Sequence, residues 1–291
     1  MLQASRRAPQ RLGDSAELVR GFVRGQLARD GGFRGRAGES DLYYTVFGLD
    51  CMKSLGMEIP VRRIAPYLRS FGSGDDLDLV HLACLVRSWT ALPGVELPAS
   101  ERAAFGERLA GFRTGDGGFA GEPGDPRGSV YGCFLAFGAY QDLGLELPDA
   151  DAVGEFVAAR ATAEGGFANQ RHTKAAATPV VAAAVTLLRH LSRPVPPGAA
   201  AWLAARLHGQ GGFTAAPAAP LPDLLSTATA LHALAGLGHP LAPMIEPCLD
   251  FLDSLWTNRG TFHGHWADDE TDCEYTFYGL LALGHLGDPG G

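Results

Sequence analysis

Long apolar runs are missing from this sequence of 291 residues. No stretch approaches the ~18 consecutive apolar residues that a membrane-spanning helix needs, so we predict no membrane span. The first thirteen residues, MLQASRRAPQRLG, are basic and lack the apolar segment of a secretory signal. We therefore expect residues 1–13 to form a basic tail ahead of the folded domain.

An excess of basic charge is also missing, and cysteines are few. The chain has 32 acidic residues against 24 Lys and Arg, a formal charge of −8. This balance argues against a nucleic-acid partner and favours cationic ligands or metals. The five cysteines are an odd number scattered through apolar segments, which indicates a reducing compartment and predicts a cytoplasmic protein without a disulfide framework.

What the sequence does contain is a repeat. Gly-Gly-Phe begins at Gly31, Gly117, Gly165 and Gly211, and the variant Gly-Thr-Phe begins at Gly260. A degenerate copy without the Phe lies near residue 74, and a Pro-containing turn follows each copy after about 25 to 30 residues. Because the glycine turn and the Pro-containing turn recur together six times, the sequence indicates six repeat units.

Each unit contains two helical stretches. The stretch before the glycines mixes charged and apolar residues at helical spacing, which is typical of an outer surface helix. The stretch after them is nearly uncharged past its first turn, so we expect a buried inner helix; no segment alternates with the period of a strand. We predict an all-α fold, an α/α toroid with residues 14–291 as one domain of six hairpins. An open solenoid is the alternative, but its ends would need polar caps.

In this arrangement every Gly-Gly-Phe turn leads into an inner helix at the same mouth of the ring. Backbone N–H groups and positive dipole ends gather there, which suits an anion such as a diphosphate. Four of the six aligned helix starts carry Asp, a favoured helix cap. The aligned positions are Asp41, Asp78, Arg127, Lys174, Asp223 and Asp272.

Charge is split around this predicted mouth. Acidic residues and one histidine crowd units one, two and six, namely Glu39, Asp75, Asp76, His81, Asp268, Asp269, Glu270 and Glu274. Basic residues collect in units three and four as Arg127, Arg171, His172 and Lys174, whereas Arg36 lies in the acidic unit one. A closed ring would hold a polyanion on one side and a cation or metal on the other. Solvated loop charge is the alternative interpretation.

The inner stretches are asymmetric in the same way. Units one, three and six supply aromatic residues, namely Tyr43, Tyr44, Phe47, Tyr131, Phe134, Phe137, Tyr140, Tyr275, Phe277 and Tyr278. Units four and five supply mostly Ala, Thr, Ser and Val. Aromatic walls that face small residues leave room for an elongated apolar ligand and stabilise a passing cation. Ordinary core packing is the alternative.

These repeats resemble the prenyltransferase and squalene-cyclase repeat, and they are similar to the β-subunits of protein prenyltransferases. The segment from Gly31 through Arg36 and Asp41 to Tyr44 reproduces the pattern GGF-x-G-R-x-x-x-x-D-x-x-Y nearly in full. The resemblance extends from about residue 14 to the end of the chain. It implies an isoprenyl chain in an aromatic cavity, with its diphosphate at a basic mouth.

The resemblance also implies a zinc ion held by Asp, Cys and His, and here the sequence departs from the family. The matching positions are Asp223, Leu225 and Tyr275, and Leu225 cannot bind zinc. Shifted registers use Asp41 with His81, or Asp272 with Glu274, and Cys273 lies beside Asp272 at the wrong spacing. A zinc ion is therefore expected only with an incomplete set of ligands. The candidate metal ligands are Asp41, His81, Asp272, Cys273 and Glu274.

On the diphosphate side, Arg36 matches the family's Arg, whereas Glu39 replaces the family's nearby Lys. Tyr44 and Tyr275 match the Tyr that binds the leaving group, and His172 approximately matches a diphosphate-binding His. The expected diphosphate ligands are thus Arg36, Tyr44, Arg127, Arg171, His172, Lys174 and Tyr275. The expected isoprenyl lining is Tyr43, Phe47, Tyr131, Phe134, Phe277 and Tyr278.

We therefore predict a prenyltransferase that uses an allylic farnesyl or geranylgeranyl diphosphate. The acidic rim favours a cationic amine acceptor such as a polyamine. The ammonium groups would bind Asp78, Asp272 and Glu274, and one carboxylate or His81 would take the proton. A cysteine acceptor, which implies zinc and a helical partner subunit, is a second hypothesis. The others are an isoprenoid cyclase, although the acidic motif of family cyclases is scrambled at Asp75-Asp76-Leu77-Asp78, and a non-catalytic toroid that binds a lipid or peptide.

Overall fold

Helical hairpins make up most of this protein in its computed structural model, which describes residues 1–173 and 175–287. The outer helices of the described chain are α3 (Ser15–Gln26), α5 (Val61–Arg69), α7 (Ala99–Ala110), α9 (Ala150–Ala158), α11 (Gly198–Ala204) and α13 (Ala242–Leu255). The inner helices are α4 (Leu42–Ser54), α6 (Leu79–Ala91), α8 (Val130–Leu143), α10 (Thr178–His190), α12 (Leu224–Gly236) and α14 (Cys273–His285).

The inner helices form a closed ring. Each packs against the next in chain order, and α14 packs against α4. Buried contacts such as that between Cys51 Sγ and the Cys273 carbonyl oxygen, 3.5 Å apart, join these two helices. The predicted α/α toroid is confirmed, and the open solenoid is excluded. We call the end at which the inner helices begin the upper end, and the opposite end the lower end.

The Gly-Gly-Phe turns are structural. The first glycine of each turn has a positive φ, for example +102° at Gly31 and +84° at Gly211. The Phe that follows is buried, and Phe33 and Phe213 are both completely inaccessible. The Phe33 amide donates to Thr45 Oγ1 at 3.0 Å, and the Phe213 amide repeats this bond to Thr227. These two turns are thereby attached to the first turn of α4 and of α12.

Three of these turns contain short antiparallel ribbons, although we expected no strands. The pairs are β1 (Phe33–Arg34) with β2 (Ser40–Asp41), β3 (Phe213–Thr214) with β4 (Pro222–Asp223), and β5 (Trp256–Thr257) with β6 (Thr261–Phe262). Each strand has only two residues, too few for an alternating pattern to appear in the sequence. The first two ribbons end directly before α4 and α12, and the third begins directly after α13.

Helix caps correct part of our alignment. Asp41, Asp78, Asp223 and Asp272 each accept a hydrogen bond from a backbone N–H in the first turn of their helix. In units three and four the cap positions are instead Ser129 and Ala177. Arg127 therefore lies two residues ahead of the cap in the loop, and Lys174 lies outside the described residues.

The N-terminal segment is helical, whereas we expected a tail. Helices α1 (Leu2–Ser5) and α2 (Ala8–Leu12) pack against α14, and α1 also packs against α4. Ser5 is buried, its hydroxyl lies 2.7 Å from the Ser54 hydroxyl, and Arg11 donates to the Leu286 carbonyl oxygen at 2.7 Å. The basic composition of this segment suggested a solvated tail, and it did not show that Arg11 binds the end of the last helix. Among the described helices, none is both long and apolar enough to cross a membrane.

Candidate functional site in the lumen of the toroid

A cavity runs through the ring of inner helices, and we call it the lumen. The six aromatic residues that we expected to line it all do so: Tyr43, Phe47, Tyr131, Phe134, Phe277 and Tyr278. Small residues of α10 and α12, including Ala182, Ala183 and Thr229, form the opposite wall. The centres of water molecules could occupy about 160 Å³ of this space. The lumen is thus an apolar channel with one aromatic wall.

Two of the aromatic residues expected in the lumen point elsewhere. Tyr140 is buried, and its hydroxyl donates to the Gly106 carbonyl oxygen of α7 at 2.8 Å. Phe137 packs against the ring of His190, 5.4 Å away. Both residues lie on α8. Because successive residues of a helix point in different directions around its axis, only Tyr131, Phe134 and their neighbours on the same face reach the lumen.

Glu274 and Tyr43 meet near the upper end of the lumen. The Tyr43 hydroxyl donates to Glu274 Oε1 at 2.6 Å, which connects the first turns of α4 and α14. Burial raises the pKa of Glu274 to about 7, although the bond from Tyr43 opposes the shift. A carboxyl group with this pKa exchanges its proton at neutral pH, which is the property of a general acid or base.

Arg36 binds two acidic residues of unit six. Its Nε donates to Asp272 Oδ2 at 2.8 Å and its Nη2 to Asp268 Oδ2 at 2.9 Å. The guanidinium also lies 5.2 Å from the centre of the Tyr275 ring, and Tyr44 lies close enough to Asp272, Glu274 and Arg36 for their charges to act on its pKa. Units one and six are therefore neighbours at the mouth, and the charge of Arg36 is already matched by two carboxylates.

Asp78 and His81 form a second pair at the start of α6. The Asp78 Oδ1 atom accepts from the His81 backbone amide and lies 2.8 Å from His81 Nδ1. Both side chains are about one-third exposed. Of the other acids in this unit, Asp75 and Asp76 are exposed, and Asp75 accepts from Ser73. The rim acids Glu39, Asp269 and Glu270 are exposed as well.

The basic residues of units three and four are dispersed. Arg127 is exposed and pairs with Asp125 at 3.2 Å. Arg171 lines a separate outer groove with Glu155 of α9 and with Arg160, which follows that helix. His172 is exposed, and Lys174 lies outside the described residues. In this region α10 begins without a side-chain cap, but the Thr178 N–H donates to the Ala215 carbonyl oxygen, Pro179 has no N–H, and the Val181 N–H donates to the Ala177 carbonyl oxygen. Within the described residues, the Val180 N–H is therefore what the first turn leaves open to an anion.

The residues at the family's zinc positions do not fit a zinc ion. Leu225 has no ligating atom, and Asp223 accepts hydrogen bonds from both the amide and the hydroxyl of Ser226. Cys273 is buried, and burial raises the pKa of its thiol, which opposes the thiolate that zinc requires. Within the described residues no three His, Cys, Asp or Glu side chains come together as a metal site. In the described part of the chain, the candidates Asp41, His81, Asp272, Cys273 and Glu274 thus form no such group.

Charged residues at the lower end of the lumen were missed by sequence reasoning. Asp50, Arg87, Asp142 and His232 all line the cavity there. Arg87 Nη2 donates to Asp50 Oδ2 at 2.9 Å, and Asp50 is buried. The signal was present, because these are charges within inner helices that are otherwise nearly uncharged. Which face of the helix they occupy was not evident without the ring.

The comparisons with known proteins agree with this architecture. The profile of the prenyltransferase alpha-alpha toroid domain matches residues 70–208 and 180–288. No curated protein matches the chain.

Solved structures with similar folds include two kinds of enzyme. Protein geranylgeranyltransferase-I from Candida albicans, complexed with GGPP, is 17% identical, with 77% of this chain and 79% of that chain covered and a TM-score of 0.62. A variant of the type II terpene cyclase MstE from Scytonema, in complex with geranylgeranyl dihydroxybenzoate, is 12% identical, with 96% and 97% covered and a TM-score of 0.65. The same cyclase without ligand is 11% identical, with 95% and 97% covered and a TM-score of 0.63.

The structures at these identities show the shared fold, and the profile covers most of the chain, including its last five repeats. Together with the closed ring and the repeated Gly-Gly-Phe turns, they confirm the resemblance seen in the sequence. The chain belongs to the prenyltransferase α/α toroid family.

Proposed function

We propose that the protein is an isoprenyl-processing enzyme that transfers an isoprenyl group from an allylic diphosphate to a cationic amine. The observation that carries this proposal is the Tyr43–Glu274 pair, in which a carboxyl group with a pKa of about 7 adjoins an aromatic lumen. The similar Candida protein was seen with GGPP, and an isoprenyl chain suits the apolar walls here.

The acceptor is inferred from charge. Asp268, Asp272 and Glu274 face a single cation, Arg36, so the unit-six side of the mouth keeps an excess of negative charge. An ammonium group is attracted there, whereas a diphosphate is repelled. The diphosphate belongs across the mouth, where α10 begins without a side-chain cap next to His172 and Lys174 in the sequence.

The transfer step needs one proton acceptor. The attacking ammonium group first gives a proton to the Glu274 carboxylate, which Tyr43 holds in place, and the nitrogen thereby gains a lone pair. The allylic C–O bond breaks and its electron pair leaves with the diphosphate, while the lone pair of the nitrogen forms the new C–N bond and the product is an alkylated ammonium ion. Aromatic faces at Phe47, Phe277 and Tyr278 stabilise the allylic cation as it develops.

Arg36 takes a different role from the one that the family motif implies. Since its guanidinium is bound to Asp268 and Asp272, we propose that it positions the unit-six carboxylates instead of binding the diphosphate. A cysteine acceptor is disfavoured, because thiol activation in the family uses zinc and the matching residues here do not fit that ion.

A second candidate is cyclisation of an isoprenoid started by protonation. The same pKa favours it, because a carboxyl group with a pKa of about 7 keeps a protonated population at neutral pH, and Glu274 adjoins the aromatic lumen through its bond to Tyr43. The Asp78–His81 pair is a further proton source at the mouth. The similar Scytonema cyclase was solved with a geranylgeranyl-substituted ligand.

One set of incubations separates these functions. The purified protein is mixed with geranylgeranyl or farnesyl diphosphate plus spermidine or a cysteine peptide, and separately with a neutral geranylgeranyl phenol. Mass spectrometry follows diphosphate release and products, and metal analysis is done on the same sample. An alkylated amine supports the first proposal, and a cyclised isomer supports the second. A prenylated peptide with bound zinc contradicts both, and binding without turnover indicates a lipid-binding toroid.

A further inference from the structure

The lower end of the lumen is unlike its apolar middle. Asp50 from α4, Arg87 from α6, Asp142 from α8 and His232 from α12 all line the cavity there. Thr186 of α10 adds a hydroxyl group to the same region. A channel that only stored a hydrocarbon chain would gain nothing from charged side chains here, because unpaired polar groups in an apolar cavity cost free energy.

Two of these groups have hydrogen-bonding capacity left over. The Asp142 side chain is exposed within the cavity lining, and none of the described residues donates a hydrogen bond to its carboxylate. Arg87 donates to Asp50 through Nη2. Because 37% of its side chain remains exposed, other N–H groups of the guanidinium are open to the lumen. One acceptor and one donor are thus presented side by side to whatever fills the lower end.

Acidic and basic groups alternate at this end. Asp50 and Asp142 lie close to Arg87 and to Lys53, whose charges act on both carboxyl groups, and the amino group of Met1 acts on Asp50 and also lines the cavity. Because both signs of charge are present, the lower end is not a site for an ion of one sign. A neutral group that both donates and accepts, such as a hydroxyl, matches the free carboxylate and the free guanidinium N–H groups.

The distance to the upper end suits a chain-like ligand. Tyr131 lines the lumen at the first turn of α8 and Asp142 lines it near the last turn. At the helical rise of about 1.5 Å per residue, these positions are about 16 Å apart along the axis. A ligand that reaches both ends is therefore elongated, apolar in the middle and polar at each end.

We infer that the lower end is a binding subsite for a hydroxyl group at the distal end of an isoprenoid substrate, held by Asp142 and Arg87. This inference rests on the proposed function only in taking the lumen as the place where the isoprenyl chain binds. It names the substrate class as a terminally hydroxylated isoprenoid rather than a plain hydrocarbon chain.

The test compares two ligands that differ by one hydroxyl group, geranylgeraniol and terminally hydroxylated geranylgeraniol. Their Kd values are measured by calorimetry on the full chain, since neither alcohol depends on the diphosphate site. We expect the hydroxylated ligand to bind about tenfold more tightly, the size expected for a hydrogen bond to a charged group. In Asp142→Asn this preference should fall to less than about threefold while geranylgeraniol itself binds as before.

Asp142→Asn is chosen because that side chain is exposed, whereas Arg87→Met would leave the buried Asp50 without its partner and endanger folding. The matched control is Asp253→Asn, the same change at an exposed position of outer helix α13. Equal affinity of the two alcohols for the wild type overturns the subsite and leaves the proposed function standing. Binding of neither alcohol overturns both. A preference that survives in Asp142→Asn removes Asp142 from the subsite.

Discussion

At the scale of single residues, the mouth of the toroid depends on contacts between side chains of the first and the last repeat. Tyr43 bonds to Glu274, and Arg36 bonds to Asp272 and Asp268. Each pair joins the first repeat to the last. Their properties, including the raised pKa of Glu274, come from burial that neither repeat provides alone.

Glu274→Gln is expected to lower turnover by about 100-fold or more, because proton transfer by a positioned side chain contributes at least that factor. The control is Glu270→Gln, which changes an exposed carboxyl four residues away and should leave turnover unchanged. If turnover of the two variants is equal, Glu274 does not transfer the proton.

The pH dependence of the wild type distinguishes the two candidate reactions. Amine transfer needs the ionised Glu274 carboxylate, so kcat should rise with pH through about 7. Cyclisation needs the protonated carboxyl, so kcat should fall as the pH rises through the same value. Steady-state rates between pH 5 and 9 on the two substrates provide the measurement, and a flat profile argues against both roles.

Arg36→Ala should destabilise the fold by about 2 kcal/mol. Asp272 is only 1% exposed, so the variant leaves a buried charge without its partner, while the exposure of Arg36 itself limits the loss. Urea unfolding measures the change in the free energy of unfolding. Arg24→Ala, which breaks only the exposed pair with Glu17, should cost less than about 0.5 kcal/mol. If both variants lost a similar free energy of unfolding, the ion pairs of Arg36 would not stabilise the fold more than an exposed ion pair does.

At the scale of secondary-structure elements, the hairpin depends on the Gly-Gly-Phe turn. The turn brings the chain against the following outer helix so closely that a side chain has no room. A Cβ atom on Gly31 would lie 2.0 Å from the Arg63 carbonyl oxygen, and one on Gly211 would lie 1.9 Å from that of Pro247. Positive φ and close approach both require glycine at these positions.

Gly31→Ala should therefore destabilise the protein by at least about 2 kcal/mol, the combined cost of backbone strain and a displaced neighbour. Gly115→Ala is the control, since nothing lies within 4 Å of a Cβ atom there and its φ is ordinary. The midpoints of urea unfolding give both values. Two similar midpoints would show that the turn tolerates a side chain.

At the scale of the whole molecule, closure makes the six repeats one unit. In an open stack each repeat contacts only its neighbours, and the ends can unfold separately. Here α14 packs on α4, and α1 and α2 pack against α14, so the last repeat and the first stabilise each other. The mouth, the lumen and its lower end all exist only because of this contact.

A closed ring should unfold in a single cooperative transition. Tryptophan fluorescence, which reports on Trp89, Trp202, Trp256 and Trp266 in the second, fifth and sixth repeats, should give the same midpoint as the loss of helical circular dichroism. Gly31→Ala in the first repeat should shift both curves together. Separate midpoints for the two signals would indicate repeats that unfold independently.

Much of the fold could be predicted from the sequence, because local patterns determine it. The glycine turns, the Asp caps and the charge difference between outer and inner helices identified the hairpins and the toroid. Strands of two residues left no pattern, and helices α1 and α2 went unnoticed because their contacts are with the distant α14. The alignment failed in units three and four because Ser129 and Ala177 occupy cap positions where we expected Arg127 and Lys174 to align.

The sequence by itself determined the repeat, the helical hairpins and the aromatic inner faces, because each is specified by residues within one period of the chain. Only the tertiary structure decided that Arg36 is bound by two carboxylates, that Glu274 lies beside Tyr43, and that Asp142 and Arg87 share the lumen's lower end. These groups come from different repeats, and a side chain's charge state and free hydrogen-bonding capacity depend on which neighbours surround it in space.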